Sequence, residues 1–337
     1  MRAILLTMFL CAAVTVTSAQ DRFKVLAVRG KVTCNAGSVR LGMKLGLKER
    51  VTVTKGGYVS LAHNNGRTLE LSKEGAYKIA DLDKAATRKS SSVSGKFAAY
   101  VYNELTEVDE PIAFKDDHKG RMKTVGAVER ADGDDVSVVD TIDAAVGGMG
   151  EARQLAVVAY NGMARGKELV AIMPRHTRLI GDSVTFVWHR LPNTSRYKVV
   201  VLDRENREIF GRDVSDTSMM VTTAQLPLTP GQVYFWHVEG GGGVRSDEYA
   251  LYRLTPAERA EAEAVVHGAK DDMDDDQSAI ARLILAAAYE DQGLMYDAHR
   301  AYIDAVNIAP GVQNYKRLHA EFLRRQGLNY DAYQAYR

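Results

Sequence analysis

Two periods of apolar residues divide this chain, and each predicts a different kind of element. Val51-Thr52-Val53-Thr54 alternates apolar and polar, and Tyr58-Val59-Ser60-Leu61-Ala62-His63 does so again before Asn64-Asn65-Gly66. A period of two marks a strand with one covered face. Lys24–Val28, Thr68–Leu71 and Gly75–Ile79 complete a set of short antiparallel strands over residues 21–82, interrupted at Arg29-Gly30 and Gly56-Gly57. Asn-Gly between two alternating runs predicts a hairpin with a type I′ turn, because both residue types tolerate φ > 0. Strands resume in residues 171–254. Val184, Phe186 and Trp188 share one face of a strand, and Tyr197, Val199 and Val201 share one face of the next. His189 and His237 each follow a tryptophan, so alternation sets them on the outward face, as surface residues rather than metal ligands.

Between and after these strands the period lengthens. Phe97, Val101 and Leu105 have helical spacing and predict one short amphipathic helix within residues 83–170. The remainder of that stretch is charged and glycine-bearing and reads as a flexible linker. Lys123–Val128 is a candidate extra strand within it, and Arg153–Ala164 a candidate helix. Thr255-Pro256-Ala257-Glu258 is a capping box with proline at the first helical position, predicting a helix through about Val266. The acidic run Asp271–Asp276 lacks the glycine and distal glutamate of a calcium loop, so a solvated loop is expected there.

The last sixty residues repeat a pattern. Gln292-Gly293-Leu294-Met295-Tyr296-Asp297-Ala298 returns as Gln326-Gly327-Leu328-Asn329-Tyr330-Asp331-Ala332, at an offset of 34 residues. Small residues at Ala286, Ala298 and Ala305 let helices approach, and Gly293 and Gly327 end the first helix of each pair. Pro310 stops the second helix. With its period, this stretch (278–337) resembles the tetratricopeptide repeat, a helix–turn–helix unit that stacks into a solenoid and binds other proteins. About three such units are usually needed to bury a continuous core, and two are present. The resemblance therefore implies either hairpins packed on a neighbouring domain or a stack completed by a partner or a second copy. Its partner-facing candidates are Tyr289, Tyr296, Tyr302, Tyr330 and Tyr336.

Composition places these elements in a class. The chain has 337 residues, a net charge of +1 and 26% charged residues, which suits two or three soluble domains. So balanced a charge argues against nucleic acid as the main partner. Met1–Gln20 has a basic start, a short apolar run and a small-residue end, the pattern of a secretory signal peptide. Leu10 is bulkier than the residue usually found before a lipid-attached cysteine, so Cys11 is not read as a lipid site. Beyond Gln20 the one cysteine is Cys34, expected to be a small buried hydrophobe.

Two further resemblances follow from the strands. A Gly-Lys-Val start at Gly30, the Val-Thr-Val-Thr strand, Asn65-Gly66, Leu69-Glu70-Leu71 and the closing Gly75-x-Tyr77-x-Ile79 resemble the FecR-like periplasmic domain. Proteins named for that domain are often transducers with a cytoplasmic N-terminus. Only Met1 and Arg2 precede the apolar run here, so that role is not carried over. Trp188, then Tyr197-x-Val199-x-Val201, then Leu226 with Pro230-Gly231-x-x-Tyr234-x-Trp236-x-Val238, resemble a fibronectin type III domain. That likeness implies Trp188 and Tyr197 in the core, and Leu226 and Tyr234 at the corner before the penultimate strand.

The expected architecture is thus all-β plus all-α. It runs from a signal peptide (1–20), an antiparallel β domain (21–82) and a linker (83–170) to an Ig/fibronectin-like sandwich (171–254), a capped helix with its acidic loop (255–277) and helical repeat hairpins (278–337). No Ser/His/Asp set, carboxylate pair or metal spacing stands out, so no catalytic residue, metal or cofactor is expected. The expected role is a non-enzymatic adaptor in the periplasm, envelope or surface of a Gram-negative bacterium, gripping a protein partner with the concave face of the repeats. The competing expectation is glycan or cell-wall binding by the β domains through Tyr58 and Tyr77. A homo-oligomer through the open repeat end is the third.

Overall fold

The computed structural model describes residues 21–35, 37–86, 92–106, 169–271 and 277–337. The signal-like segment, the strand candidate at Lys123–Val128, the helix candidate at Arg153–Ala164 and most of the acidic run lie outside the described residues. Antiparallel β sheets fill the N-terminal part of the described chain, and helices dominate its C-terminal part.

The N-terminal unit is two stacked four-stranded sheets. One has the order β4(Lys44–Gly46), β1(Asp21–Arg29), β6(Tyr58–His63), β7(Thr68–Leu71). The other has the order β3(Gly37–Ser38), β2(Val32–Cys34), β5(Arg50–Val53), β8(Gly75–Lys78). Phe23, Val25, Leu61 and Val59 from the first sheet meet Val32, Cys34, Val51 and Val53 from the second in one core. Cys34 is buried as expected, and burial pushes its thiol up to about 11. The strands too short to show alternation, β2, β3 and β4, are absent from the sequence reading. The Asn-Gly hairpin between β6 and β7 is present, but its turn is not type I′. Gly66 has φ of 90° while Asn65 stays at negative φ. Asn65 is held there by its side chain, which donates to the Ala86 carbonyl and accepts from Arg67 N–H.

β6 departs furthest from its pattern. Val59 and Leu61 face the unit's own core, but Tyr58 and Ala62 join a second core shared with the helices. β1 serves both cores by a bulge between Val25 and Ala27, which turns Leu26 and Ala27 toward the helices.

α1(Ile79–Ala85) and α2(Ser92–Thr106) follow. The predicted helix at Phe97, Val101 and Leu105 is therefore real but starts earlier, and it is no part of a flexible connection. Those three residues are buried, with Ala98 and Tyr100 beside them.

Residues 171–253 form a two-layer sandwich. One sheet has the order β14(Ser218–Thr222), β11(Ser183–Trp188), β9(Ala171–Met173). The other has the order β10(Thr177–Leu179), β16(Tyr249–Arg253), β15(Val233–Glu239), β12(Tyr197–Leu202), β13(Glu208–Val214). The first strand is split: β9 pairs antiparallel with β11, and β10 crosses to pair parallel with β16. Trp188 and Tyr197 are core, as expected. Tyr234 forms the expected corner, its hydroxyl accepting from Thr229 N–H at 2.7 Å.

His237 is a correction. Alternation puts it opposite Trp236, as read, but every residue from Val233 to Val238 is buried, so the outward face of β15 is covered as well. His237 is 3% exposed, with Nε2 at 3.2 Å from Glu239.

The helical part comprises α3(Pro256–Asp271), α4(Ala279–Asp291), α5(Met295–Ile308), α6(Gln313–Arg325) and α7(Asn329–Tyr336). The capping box is reciprocal. Thr255 N–H donates to Glu258 at 2.8 Å, and Glu258 N–H donates to Thr255 Oγ1 at 3.3 Å. α4, Ala-Ile-Ala-Arg-Leu-Ile-Leu-Ala-Ala-Ala-Tyr-Glu-Asp, is apolar almost all round and is accordingly buried almost all round. It is the hub against which α2, α3 and α5 pack.

Candidate functional site

The two helical hairpins, α4–α5 and α6–α7, turn at Gly293 and Gly327. These have φ of 70° and 76°, the left-handed conformation the pattern calls for. Both turns are docked on the split first strand of the sandwich. Arg178 N–H donates to the Gly293 carbonyl at 3.0 Å, and the Arg178 side chain reaches the Gln292 carbonyl and Glu258. Three residues earlier, Arg175 Nη1 donates to the Gln326 carbonyl at 2.8 Å. Each arginine thus binds carbonyls at the negative end of a first-helix dipole, satisfying groups that a helix C-terminus leaves open. Neither arginine carries a sequence signal. Their role follows only from the 34-residue repeat meeting residues three apart, Arg175 in the break of the first strand and Arg178 in β10.

Tyr296 extends this dock. Where the first strand leaves β11, the open edge N–H of Thr185 donates to the Tyr296 hydroxyl at 3.1 Å. Tyr302 points into the hairpins instead, donating to buried Glu290 at 2.6 Å. Glu290 also accepts from Arg325 at 2.8 Å. Tyr296 and Tyr302 are therefore packing residues, 7% and 3% exposed. Tyr289 is half-buried against the helical core, and Tyr336 packs at its margin. Of the five tyrosines the repeat pattern singled out, Tyr330 alone is exposed, at 45%, with its ring edge-on to His189.

The inner face formed by the first helices, α4 and α6, is already occupied. α2 lies along it: Lys96 pairs with Asp291 at 3.1 Å, and Asn314 donates to the Leu105 carbonyl at 3.1 Å. Arg317 also donates to the Glu104 carbonyl. Behind α2 stands the first N-terminal sheet, where the hydroxyls of Tyr58 and Tyr315 are 3.1 Å apart. Tyr58 is thus buried and unavailable to a glycan, which corrects that half of the β-domain expectation. Tyr77 remains partly exposed, its hydroxyl donating to the Lys73 carbonyl.

What the hairpins leave open is their outer side. Among the described residues six large hydrophobics are exposed, and four of them, Ile303, Ile308, Tyr330 and Tyr333, lie on α5 and α7. Just inside this surface sits a polar seam. His299 and His319 have ring centroids 5.3 Å apart, and His189 binds Asp331 at 2.9 Å, tying the sandwich to α7. Burial pushes His299 down to about 4 and His319 to about 3, with Asp331 pulling weakly the other way. Among the described residues no group of three or more His, Cys, Asp or Glu side chains is arranged to hold a metal ion.

No family model and no curated protein matches the chain. Among solved structures, the chain is similar to a fibronectin type III domain derived from the human KIAA0970 protein. The identity is 14%, over 33% of this chain and 85% of that one, with a TM-score of 0.20.

Proposed function

We propose that the protein is a non-enzymatic scaffold or adaptor of the bacterial cell envelope that docks a protein partner through its C-terminal helical hairpins. In this reading residues 1–20 are an export signal, 21–82 a FecR-like β module, 171–254 a fibronectin type III-like sandwich and 278–337 tetratricopeptide-like hairpins. The observation that carries it is that four of the six exposed large hydrophobics among the described residues, Ile303, Ile308, Tyr330 and Tyr333, belong to α5 and α7. Such a concentration of exposed apolar side chains on two helices is what a contact surface on the hairpins would require. The docking surface differs from the expected one: α2 fills the inner face, so a partner meets the outer one. A firmly cross-braced body suits such a role, because it presents that surface without first paying to order it.

The test is chemical cross-linking with mass spectrometry on envelope fractions, comparing the full chain with a Tyr330→Ser, Tyr333→Ser variant. Capture of one protein by the full chain and its loss from the variant supports the proposal. Equal capture by both sinks it, and cross-links between two copies would make the surface a self-association face.

A further inference from the structure

The near-neutral balance of the whole chain conceals a split. Residues 21–86 hold thirteen Lys and Arg against six Asp and Glu, a net +7 in one small unit. Four of these cations, Lys31, Arg40, Arg50 and Lys78, stand on the open face of the second sheet. There β5 and β8 set Arg50 directly opposite Lys78. Like charges in that position oppose each other and weaken the pairing. On the same face, Thr52 lies between Thr33 and Ala76, and Thr33 lies opposite Ser38. Extending the β2–β3 register, which the Val39 N–H to Val32 carbonyl bond continues, sets Arg40 beside Lys31 at the far end.

The face is therefore a band with a cation pair at each end and a floor of hydroxyls between. The two ends are four residues apart along β5, about 13 Å at the rise of a strand. Lys31, Arg40, Arg50 and Lys78 are exposed and enter no ion pair among the described residues. Glu74 and Asp81 border the band at its β8 edge. Beside Arg50 and Lys78 a depression of about 250 Å³ is lined by Tyr77, Asp81 and Leu82.

We infer that this face binds a linear anionic polysaccharide. The end cations take carboxylate or phosphate groups on the chain, and the threonine and serine hydroxyls meet sugar hydroxyls. Two features select this ligand over other polyanions. Single-stranded nucleic acid calls for a row of aromatic platforms, and Tyr77, opposite Val51, faces the inner core and not the band. A membrane surface calls for apolar side chains to insert among lipids, and the floor between these cations is polar. The inference takes up glycan binding on different residues from Tyr58, and it is independent of docking by the helices.

The experiment is titration calorimetry of the full chain with polygalacturonate, with dextran as the neutral control. Inorganic polyphosphate and phosphatidylglycerol vesicles serve as sugar-free polyanions. Polygalacturonate should bind, weaken as salt rises from about 50 to 200 mM, and exceed both sugar-free probes. Lys78→Glu should weaken binding roughly tenfold or more, because it removes one cation and engages another. It also places an opposite charge across from Arg50, so its melting temperature should hold or rise, which separates lost binding from lost folding. Lys44→Glu, on the other sheet, should matter much less. The proposal is overturned if polygalacturonate fails to bind at low salt. It is overturned equally if Lys44→Glu weakens binding as much as Lys78→Glu, or if polyphosphate or vesicles bind as tightly as the polysaccharide.

Discussion

The two sheets of the N-terminal unit have nearly the same sequence texture and opposite surroundings. β5 reads Arg-Val-Thr-Val, and its alternation is obeyed: Val51 and Val53 are buried, and Arg50 faces water. β6 reads Tyr-Val-Ser-Leu-Ala-His, a looser alternation whose second face carries Tyr58, Ser60 and Ala62, and all six residues are buried. The difference lies outside both strands. The even face of β6 joins the core shared with the helices, and the contact between Tyr58 and Tyr315 of α6 spans 257 positions of sequence. Alternation reports the covered face of a strand reliably, but it assigns the other face to water by default. A small or hydroxyl-bearing residue such as Ser60 or Ala62 suits a close helix contact as well as it suits solvent.

The comparison can be broken most forcefully at the layer that makes the difference. Phe97 is the large side chain of α2 buried between sheet and helices, 1% exposed. Phe97→Ala should cost about 3–5 kcal/mol, the usual range for emptying a buried phenylalanine site. Urea denaturation would measure it. A loss under about 1 kcal/mol would mean that α2 is loosely held and the first sheet is effectively one-sided.

A matched pair of substitutions contrasts the two sheets directly. Ala62→Arg puts a charge and a long side chain into the face shared with the helices and should cost about 3 kcal/mol or more. Thr52→Arg makes a similar addition on the open sheet and should stay within about 0.5 kcal/mol. Similar costs at the two positions would refute the distinction between the sheets.

Acid loosens the helical layer less abruptly. His299 and His319 have folded pKa values held below 6.5 by burial, so the unfolded chain binds their protons more readily. Their contribution to stability is in place above pH 6.5 and declines as the pH falls toward about 4 and about 3. Asp297 acts in the opposite sense. Burial raises it from 3.8 to about 6, so its contribution is lost as the pH rises through that window. Two histidines against one carboxyl should leave a net fall in urea midpoint below pH 6.5. His319→Phe, which keeps a ring beside Tyr302, should flatten that fall. An unchanged slope would show that the seam is open to water.

These tests also mark what the sequence made legible. The 34-residue repeat, the Thr255–Glu258 box, the Tyr234 corner and the inward Trp188 rest on local chemistry, and the structure contains each of them. The parts that escaped are those fixed by distant segments. Tyr296 and Tyr302 have the look of a binding stripe, but one caps a sheet edge and the other anchors Glu290. Arg175 and Arg178 look like ordinary charged residues until the two glycine turns arrive beside them. The basic face escaped for another reason. Net charge is a sum over the chain, and the acidic excess beyond residue 86 cancels it.

The smallest expected effect tests the open sheet on its own terms. Arg50 and Lys78 repel each other across one rung of the ladder, and both are exposed. Lys78→Glu turns that repulsion into attraction and should raise stability by about 0.2–1 kcal/mol at low salt. The gain should shrink as salt is added, because pairs at the surface are screened. Arg50→Glu should gain a similar amount, while the double reversal restores a like-charged pair and should return to the wild-type value. That cycle isolates the cross-strand term from any change in strand propensity. If instead the double reversal added the two single gains, the benefit would come from lowering the positive charge of the whole unit. The cations would then be a diffuse field rather than a pair built across one rung.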